Sequence, residues 1–408
     1  MGKKALLVGI NYPGTKAELK GCVNDVNRMH KCLINRYGFA EEDIVVLIDT
    51  DPKYPQPTGV NIRRALSDLV ALAEPGDYLF FHYSGHGVQV QAETGDDDDT
   101  GHDECIVPCD MNLIPDQDFK ELVLKVPDGC LMTIVSDSCH SGGLLQNAKE
   151  QIGESTKLNR EISNSVSPSG DFRSFLKEKV KDAGHDAFHS RGIDIPDEIP
   201  HHNSSYEPEE VEEREHAGGR VKSRSLPLST LIEMLKEKTG KDDVDVGNIR
   251  PTLSHMFGKD ASPKFKKFMK VLFKRLQEVR LSEGGGGHRD INSLPRGVAH
   301  EVLKIKDDEE VSVESEEEVH AGTKKNLPIN GVLISGCQTD ETSADANTPT
   351  GAYGALSNAI QAIIAQNDGE LTNRDLVLNL RKMLAKEGYK QKPGLYCTDK
   401  HLDYPFIC

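Results

Sequence analysis

The sequence predicts an α/β fold: a central, mostly parallel six-stranded sheet flanked by helices, assembled from a large N-terminal segment and a smaller C-terminal one. Three patterns predict it. Over residues 1–147 short apolar runs alternate with amphipathic stretches, the mark of strands joined by crossover helices. Over 148–224 that periodicity fades into Ser, Gly, Pro, Glu and His, as in Ser163 to Gly170 and Pro196 to Glu215, so a flexible linker is expected there. Over 225–408 α/β character returns, broken by a low-order loop at about 283–326 that holds Gly284 to Gly287 and the acidic run Asp307 to Glu318.

Taken in chain order, Lys4 to Ile10, Ile44 to Ile48, Tyr78 to Tyr83 and Met132 to Val135 read as strands, since each is a short, mostly apolar run between turn residues. Between them Val26, Met29 and Leu33 share one helical face, as do Ile62, Ala65, Leu66 and Leu69 in a helix closed by Pro75-Gly76. Helical periodicity also covers Leu228 to Lys238 and Pro263 to Leu281. Gly331 to Ser335 supplies a fifth strand, and Tyr353 to Ala365 a helix with Leu356, Ile360 and Ile363 on one side. Thr372-Asn373-Arg374-Asp375 reads as a capping box opening a helix through Leu376, Leu380 and Met383, stopped at Gly388. Gly394 to Cys397 is the sixth strand.

Composition narrows the function. Of the 408 residues 49 are Lys or Arg and 66 are Asp or Glu, a formal net charge of -17. That charge argues against binding nucleic acid and favours cations or basic substrates as partners. No apolar run approaches the roughly 20 residues that a membrane span requires, so no stable membrane insertion is expected. The nine cysteines are scattered without CxxC pairs, which suits reduced thiols in a cytoplasmic setting better than a disulfide or zinc scaffold.

Two segments end apolar runs in small and reactive residues: Phe80-Phe81-His82-Tyr83-Ser84-Gly85-His86-Gly87 and Ile134-Val135-Ser136-Asp137-Ser138-Cys139-His140-Ser141-Gly142-Gly143. In open parallel sheets, sites form beyond the carboxyl ends of strands, and two neighbouring strands would bring His86 and Cys139 together. A thiol beside an imidazole is a nucleophile with its proton acceptor. The amides of Gly87 and Cys139 are then the natural donors to an oxyanion. His82 and His140 read as structural. A cysteine-dependent phosphatase would need an Arg six residues past its nucleophile, where Leu145 stands.

These two blocks, at this order and spacing, resemble the caspase-type fold and specifically a metacaspase. The stretches GINYPGTKAELKGCVNDV, ECIVPCDMNLI and LISGCQTDETSAD resemble the plant type II metacaspases, as does the absence of a prodomain before Lys4. The resemblance covers residues 1 to about 155 and about 225 to 408. It implies a calcium-activated, autoprocessing cysteine endopeptidase with a Cys-His dyad, cleaving after Arg or Lys. It also implies a monomer with roles in wound signalling and programmed cell death. Asp25 and Asp137 match the family's S1 carboxylates, and Cys22 and Ser84 its pocket walls. The chemistry agrees, because a cationic P1 side chain needs a buried acidic partner.

Asp96, Asp97, Asp98, Asp99, Asp103 and Glu104 crowd a stretch without Lys or Arg. Such repulsion invites a hard cation, and the resemblance makes this the calcium site, with the ion an activator and not a catalyst. Gln146 stands where some relatives carry a calcium-binding carboxylate. In type II relatives the cleavage between segments follows a basic residue before Ser-Leu-Pro-Leu, which marks the Arg224-Ser225 bond as the autocleavage site and the protein's own linker as its inhibitor. Lys264 to Leu276 is a basic amphipathic stretch that could bind calmodulin or an anionic membrane surface, but such helices more often bury their apolar side, here Phe265, Phe268, Met269 and Leu272, inside the protein. The competing reading, a non-proteolytic calcium-dependent interaction protein, has no use for an intact His86 and Cys139.

Overall fold

The computed structural model of the chain describes residues 2–91, 102–139, 144–145, 148–153, 213–216, 219–242, 244–246, 249–270, 330–338, 341–349, 351–367 and 369–408. The large segment runs β1 (Lys3–Gly9), α1 (Cys22–Tyr37), β2 (Ile44–Ile48), α2 (Gly59–Ala71), β3 (Tyr78–Ser84), β4 (Gly87–Gln91), β5 (His102–Ile106), β6 (Ile114–Pro115), α3 (Asp116–Val123), β7 (Leu131–Asp137) and β8 (Glu150–Ile152). Then follow β9 (Glu213–His216), β10 (Gly219–Ser223), α4 (Leu228–Thr239), α5 (Ile249–Phe257) and a helix described over 263–270, α6. The chain ends with β11 (Gly331–Ser335), β12 (Ala344–Thr348), β13 (Gly351–Gly354), α7 (Ala355–Gln366), α8 (Asn373–Lys386) and β14 (Gly394–Tyr396).

All seven residues of β3 are buried, which requires cover on both faces of the sheet. The pleat sends alternate side chains to opposite sides. Leu6, Val8, Leu79 and Phe81 join the core under α2, with Ile62, Leu66, Leu69 and Phe119. Ala5, Leu7, Tyr78 and Phe80 join the other core, with Val26, Met29, Leu33, Leu356, Ile360, Ile363 and Leu380. Truncating one such leucine to alanine costs about 2–5 kcal/mol. Thr372 caps α8 as expected, its Oγ1 accepting the Asp375 N–H at 3.0 Å, while Asp375 Oδ2 accepts the Thr372 hydroxyl at 2.8 Å.

The main sheet has seven strands, in the order β2-β1-β3-β7-β11-β14-β8. The first five are mutually parallel, β14 pairs antiparallel with β11, and β8 pairs antiparallel with β14 and so runs with the first five. The extra strand is β8, which falls inside the stretch read from sequence as linker. At the far end of that stretch β9 and β10 join β12 and β13 in a second sheet, ordered β13-β12-β10-β9. A third sheet pairs β4, β5 and β6. Residues 154–212 of the expected linker and the loop at 283–326 lie outside the described residues. In α6 Phe265 and Met269 are buried as expected, Phe268 lies under the Arg250 guanidinium at 5.5 Å, and Leu272 lies outside the described residues. Among the described residues no helix is long and apolar enough to cross a membrane.

For the site, register is what counts. Ser84 at the end of β3 pairs with Asp137 at the end of β7, so His86 and Cys139, each two residues further on, emerge side by side.

Candidate active site

The loops leaving β3 and β7 meet so closely that a Cβ at Gly87 would collide with the Cys139 carbonyl oxygen, so only glycine fits there. The His86 imidazole is buried, and its Nε2 lies 2.7 Å from the Ala17 carbonyl. A carbonyl only accepts, so Nε2 carries the proton and Nδ1 is left as the basic nitrogen. Nδ1 has no hydrogen-bond partner among the described residues. Burial pushes the imidazole down to about 4, against the pull of the Ala17 and Arg224 carbonyls, which keeps it neutral at physiological pH.

The Cys139 sulfur is buried and accepts the Ser343 N–H at 2.9 Å. It also lies 3.7 Å from the Ser343 carbonyl and 4.0 Å from Ser223 Oγ. In this arrangement the sulfur is engaged by the strand side of the site and is not bonded to His86.

Arg224 fills the space between these residues. It follows β10, which pairs antiparallel with β12, and its main chain is gripped as an extended peptide would be. Its N–H donates to the Ser343 carbonyl at 2.9 Å, and its carbonyl accepts the Gly87 N–H at 3.0 Å. Of the two amides read from sequence as oxyanion donors, Gly87 bonds this carbonyl, whereas among the described residues the Cys139 amide makes no bond to that oxygen. One residue on, the Leu226 N–H donates to the Gly87 carbonyl at 2.9 Å, and Ser225 forms an isolated bridge with Gly87.

The Arg224 side chain is fully buried, with its guanidinium among carboxylates. Nη2 donates to Asp25 Oδ2 and to Asp345 Oδ1, both at 2.9 Å. Nη1 donates to Ser84 Oγ at 2.8 Å and to the Asp137 carbonyl at 2.9 Å, and lies 3.3 Å from Asp137 Oδ1. Burial alone would lower its pKa, but Asp137, Cys22, Asp25 and Asp345 more than offset that and raise it well above the ordinary value. The acids are fixed in turn. Asp25 accepts the Gly354 N–H at 3.0 Å and the Ser84 hydroxyl at 2.8 Å, and Asp137 accepts the Ser357 N–H and the Ser343 hydroxyl at 2.8 and 2.7 Å. The Ser357 amide lies in the first turn of α7, where a helix favours negative charge. A Cβ at Gly354 would strike Asp137 and the guanidinium, so a glycine closes the pocket. Burial nevertheless pushes the Asp25 carboxyl up to about 7, even with Arg224 drawing it down.

The structure therefore brings together His86, Cys139, Gly87, Asp25, Asp137, Cys22, Ser84, Arg224 and Ser225. Sequence reasoning missed Asp345 and Ser343, though both stand in the LISGCQTDETSAD stretch. The available signal was a carboxylate among small residues after a strand neighbouring β7. His82 is structural: burial lowers it to about 4, and Nε2 lies 3.1 Å from Ser357 Oγ.

The acidic stretch behaves differently. Asp96, Asp97, Asp98 and Asp99, like Gln146 and His140, lie outside the described residues. Asp103 and Glu104 on β5 are buried. Asp103 is not the unneutralised acid its neighbours in sequence suggest: Oδ2 accepts from Arg250 at 2.8 Å and Oδ1 from Lys264 at 2.7 Å, with Lys264 also 3.9 Å from Asp116. Among the described residues no three acidic, His or Cys side chains are arranged to hold a metal ion. Both oxygens of Asp103 are held by cations of the chain itself, so in this arrangement Asp103 has no oxygen open to calcium, while four of the six acids read as its ligands lie outside the described residues.

Comparison with known proteins agrees with the geometry. The family described as "Metacaspase, peptidase C14 domain" matches residues 3–148, which contain His86 and Cys139. Metacaspase-4 of Arabidopsis thaliana is 54% identical over 423 residues, covering all of both chains, and Metacaspase-6 of the same plant is 51% identical over 414, again covering both. Metacaspase-1 of Schizosaccharomyces pombe is 48% identical over 148 residues, but these are 35% of this chain and 35% of its own. The fungal match is confined to about a third of the chain, whereas the plant proteins match from end to end. The chain accordingly belongs to the metacaspases, cysteine peptidases of caspase-like fold, and within them to the plant members.

Proposed function

We propose that this metacaspase is an endopeptidase that cleaves after Arg or Lys through the Cys139-His86 dyad, and that its first substrate is its own Arg224-Ser225 bond. One observation carries the reading: Arg224 lies in the site as a substrate residue would, guanidinium among three carboxylates and carbonyl on the Gly87 N–H. The same placement supports inhibition of the zymogen by its own linker, since the pocket is already filled.

The reaction runs on this chain's own groups. The Cys139 sulfur turns from Ser343 towards the Arg224 carbonyl carbon, giving its proton to His86 Nδ1. As the carbon–sulfur bond forms, the carbonyl electrons move onto the oxygen held by Gly87. Collapse breaks the bond to the Ser225 nitrogen, which takes the proton from His86 and leaves as an amine. His86 then draws a proton from water, whose oxygen attacks the thioester. Arg224 is released as a carboxylic acid and the thiol is restored.

A calcium requirement belongs to the same proposal. The resemblance and the acids between Asp96 and Glu104 support it, although the present partners of Asp103 leave it no oxygen open to the ion; calorimetric titration of chelator-treated Cys139→Ala protein with calcium tests it directly. A cytoplasmic monomer acting in wound signalling or programmed cell death rests on the resemblance alone.

The main test is calcium-dependent hydrolysis of paired fluorogenic peptides ending in Arg and in Asp, with a gel of the same samples. Hydrolysis of the Arg peptide alone, lost in Cys139→Ala, is expected, and Arg224→Gly protein should stay uncut at that bond. A folded protein that cuts neither peptide nor itself would overturn the reading.

A further inference from the structure

The Arg224-Ser225 bond is held unequally on its two sides. Upstream, Val221, Lys222 and Ser223 lie half-buried in β10. Downstream, Leu226 is 2% exposed and sits in the core that also takes Val88, Ile106, Leu231 and Met234. Leu226 is joined at once to α4, whose first turn closes through the Leu231 N–H and the Pro227 carbonyl at 3.0 Å, and α4 buries Leu231, Met234 and Leu235. Gly87 spans the bond: its N–H holds the carbonyl before the cut, its carbonyl the N–H of the second residue after it.

We infer that Leu226 is a resident occupant of the prime side of the active site, placing the Ser225 nitrogen for cleavage and staying in place once the bond is cut. Cleavage turns one amide into the Arg224 carboxylate and the Ser225 amine. Across the cut it removes the bond from Ser225 N–H to Ser223 Oγ, 3.0 Å, while the Leu226 bond to Gly87 and the core shared with Val88, Ile106, Leu231 and Met234 lie outside the linker. These anchors remain when the linker leaves. The cleaved enzyme then reads a substrate through P1 and the residues before it, and the place of the second residue beyond the bond is already taken. Its substrate class is a basic residue followed by chain that can be turned aside, such as a flexible loop or a segment near a terminus. This inference rests on the proposed peptidase activity and specifies which part of a substrate that activity recognises.

The test uses the full-length protein, treated with calcium until intact mass shows the cut after Arg224. Substrates share the upstream sequence Val-Lys-Ser-Arg and carry a fluorophore amide, Ser-amide, or Ser-Leu-Pro-Leu-amide beyond it. Extension from Ser-amide to Ser-Leu-Pro-Leu-amide is expected to lower kcat/KM roughly tenfold or more, the scale of displacing a buried leucine. The loss should shrink in Leu226→Ala. A rate that is flat or rises with extension in the unmutated enzyme overturns the inference, whether or not the variant folds. In the same samples an amine-reactive acetylating reagent should label Ser225 far more slowly than in urea, and equal labelling overturns it as well. Failure to hydrolyse the fluorophore amide at all would instead overturn the peptidase reading.

Discussion

Two buried ion clusters in this protein look alike and balance their charge in opposite ways. Around Arg224 one guanidinium faces Asp25, Asp137 and Asp345. Around Asp103 two cations, Arg250 and Lys264, face Asp103 and Asp116. Burial lowers the Lys264 ammonium's pKa, but Asp103 and then Asp116 more than compensate and raise it. Among the described residues the first cluster has more acid than its single cation neutralises, and that cation sits beside the bond proposed for cleavage. The second is matched from within by α5 and α6, which it ties to β5. An excess of buried acid is a demand for a cation from outside, and so a recognition site; a matched set is a rivet.

Neutralising one acid in each cluster is the strongest way to break the comparison. Asp25→Asn or Asp345→Asn should lower kcat/KM for Arg peptides by about 10²–10³-fold, the scale of about 3–4 kcal/mol for truncating a buried charge partner. Asp103→Asn leaves Arg250 and Lys264 buried without their shared carboxylate, so its cost should appear as a fall in Tm of several degrees. If Asp103→Asn abolishes cleavage at unchanged Tm, or Asp25→Asn only lowers Tm, the two clusters have been assigned the wrong way round.

The pH profile sharpens the same point. Asp25 must be ionised to hold a cation, and burial raises its carboxyl to about 7 while Arg224 pulls it down. Once Arg224 has left, that pull is gone while water entering the pocket relieves part of the burial, and Asp25, still beside Asp137, is expected to titrate above the ordinary carboxylate range. His86 is held at about 4 and stays neutral across the same range. Protonating Asp25 therefore sets the acid limb: kcat/KM for Arg peptides should fall about tenfold per pH unit below that point. Asp25→Asn should be low but flat between pH 5 and 8, and an acid limb surviving in that variant would assign the titration to another group.

A smaller effect follows from the shape of the cation. The guanidinium of Arg224 reaches Ser84, the Asp137 carbonyl, Asp25 and Asp345 at once. An ammonium is a single point of charge and cannot span that set. Arg224→Lys should still be cut, roughly tenfold more slowly, in a gel time course after calcium; equal rates would mean that charge alone is read.

What was legible in the sequence divides along the same line. His86, Cys139 and Asp137 stand in short motifs at strand ends, where local chemistry and local structure coincide, whereas Asp25, in the first turn of α1, is found only through the resemblance. Asp345 reaches the pocket through pairing of β12 with β10, a contact no nearby residue announces. The partners of Asp103 lie 147 and 161 residues away, which is why its stretch read as acid without a counter-ion. The strand β10, Gly-Arg-Val-Lys-Ser, and β8, Glu-Gln-Ile, hold their places through backbone pairing with β12 and β14, so neither shows the alternation of a buried strand. The six strands found from sequence are short, mostly apolar runs, whereas β4 and β5 also bury Val88, Val90, Cys105 and Ile106 but set polar residues among them.

Ser84 offers the finest test, because it serves the pocket without carrying charge. Its hydroxyl gives its proton to Asp25 Oδ2 at 2.8 Å and accepts from Arg224 Nη1 at 2.8 Å, linking acid to cation. Ser84→Ala removes both bonds but leaves every carboxylate in place, and the Gly354 N–H still holds Asp25. Hydrogen bonds to charged groups contribute about 1.5–3 kcal/mol each, and water entering the emptied position returns part of that. The expected loss in kcat/KM for Arg peptides is therefore about 5- to 20-fold, smaller than for either aspartate variant. Losing a donor to Asp25 also raises its pKa, so the acid limb should move to higher pH. A fall in activity with an unmoved limb would mean that Ser84 fills space beside the guanidinium and does not tune the acid that holds it.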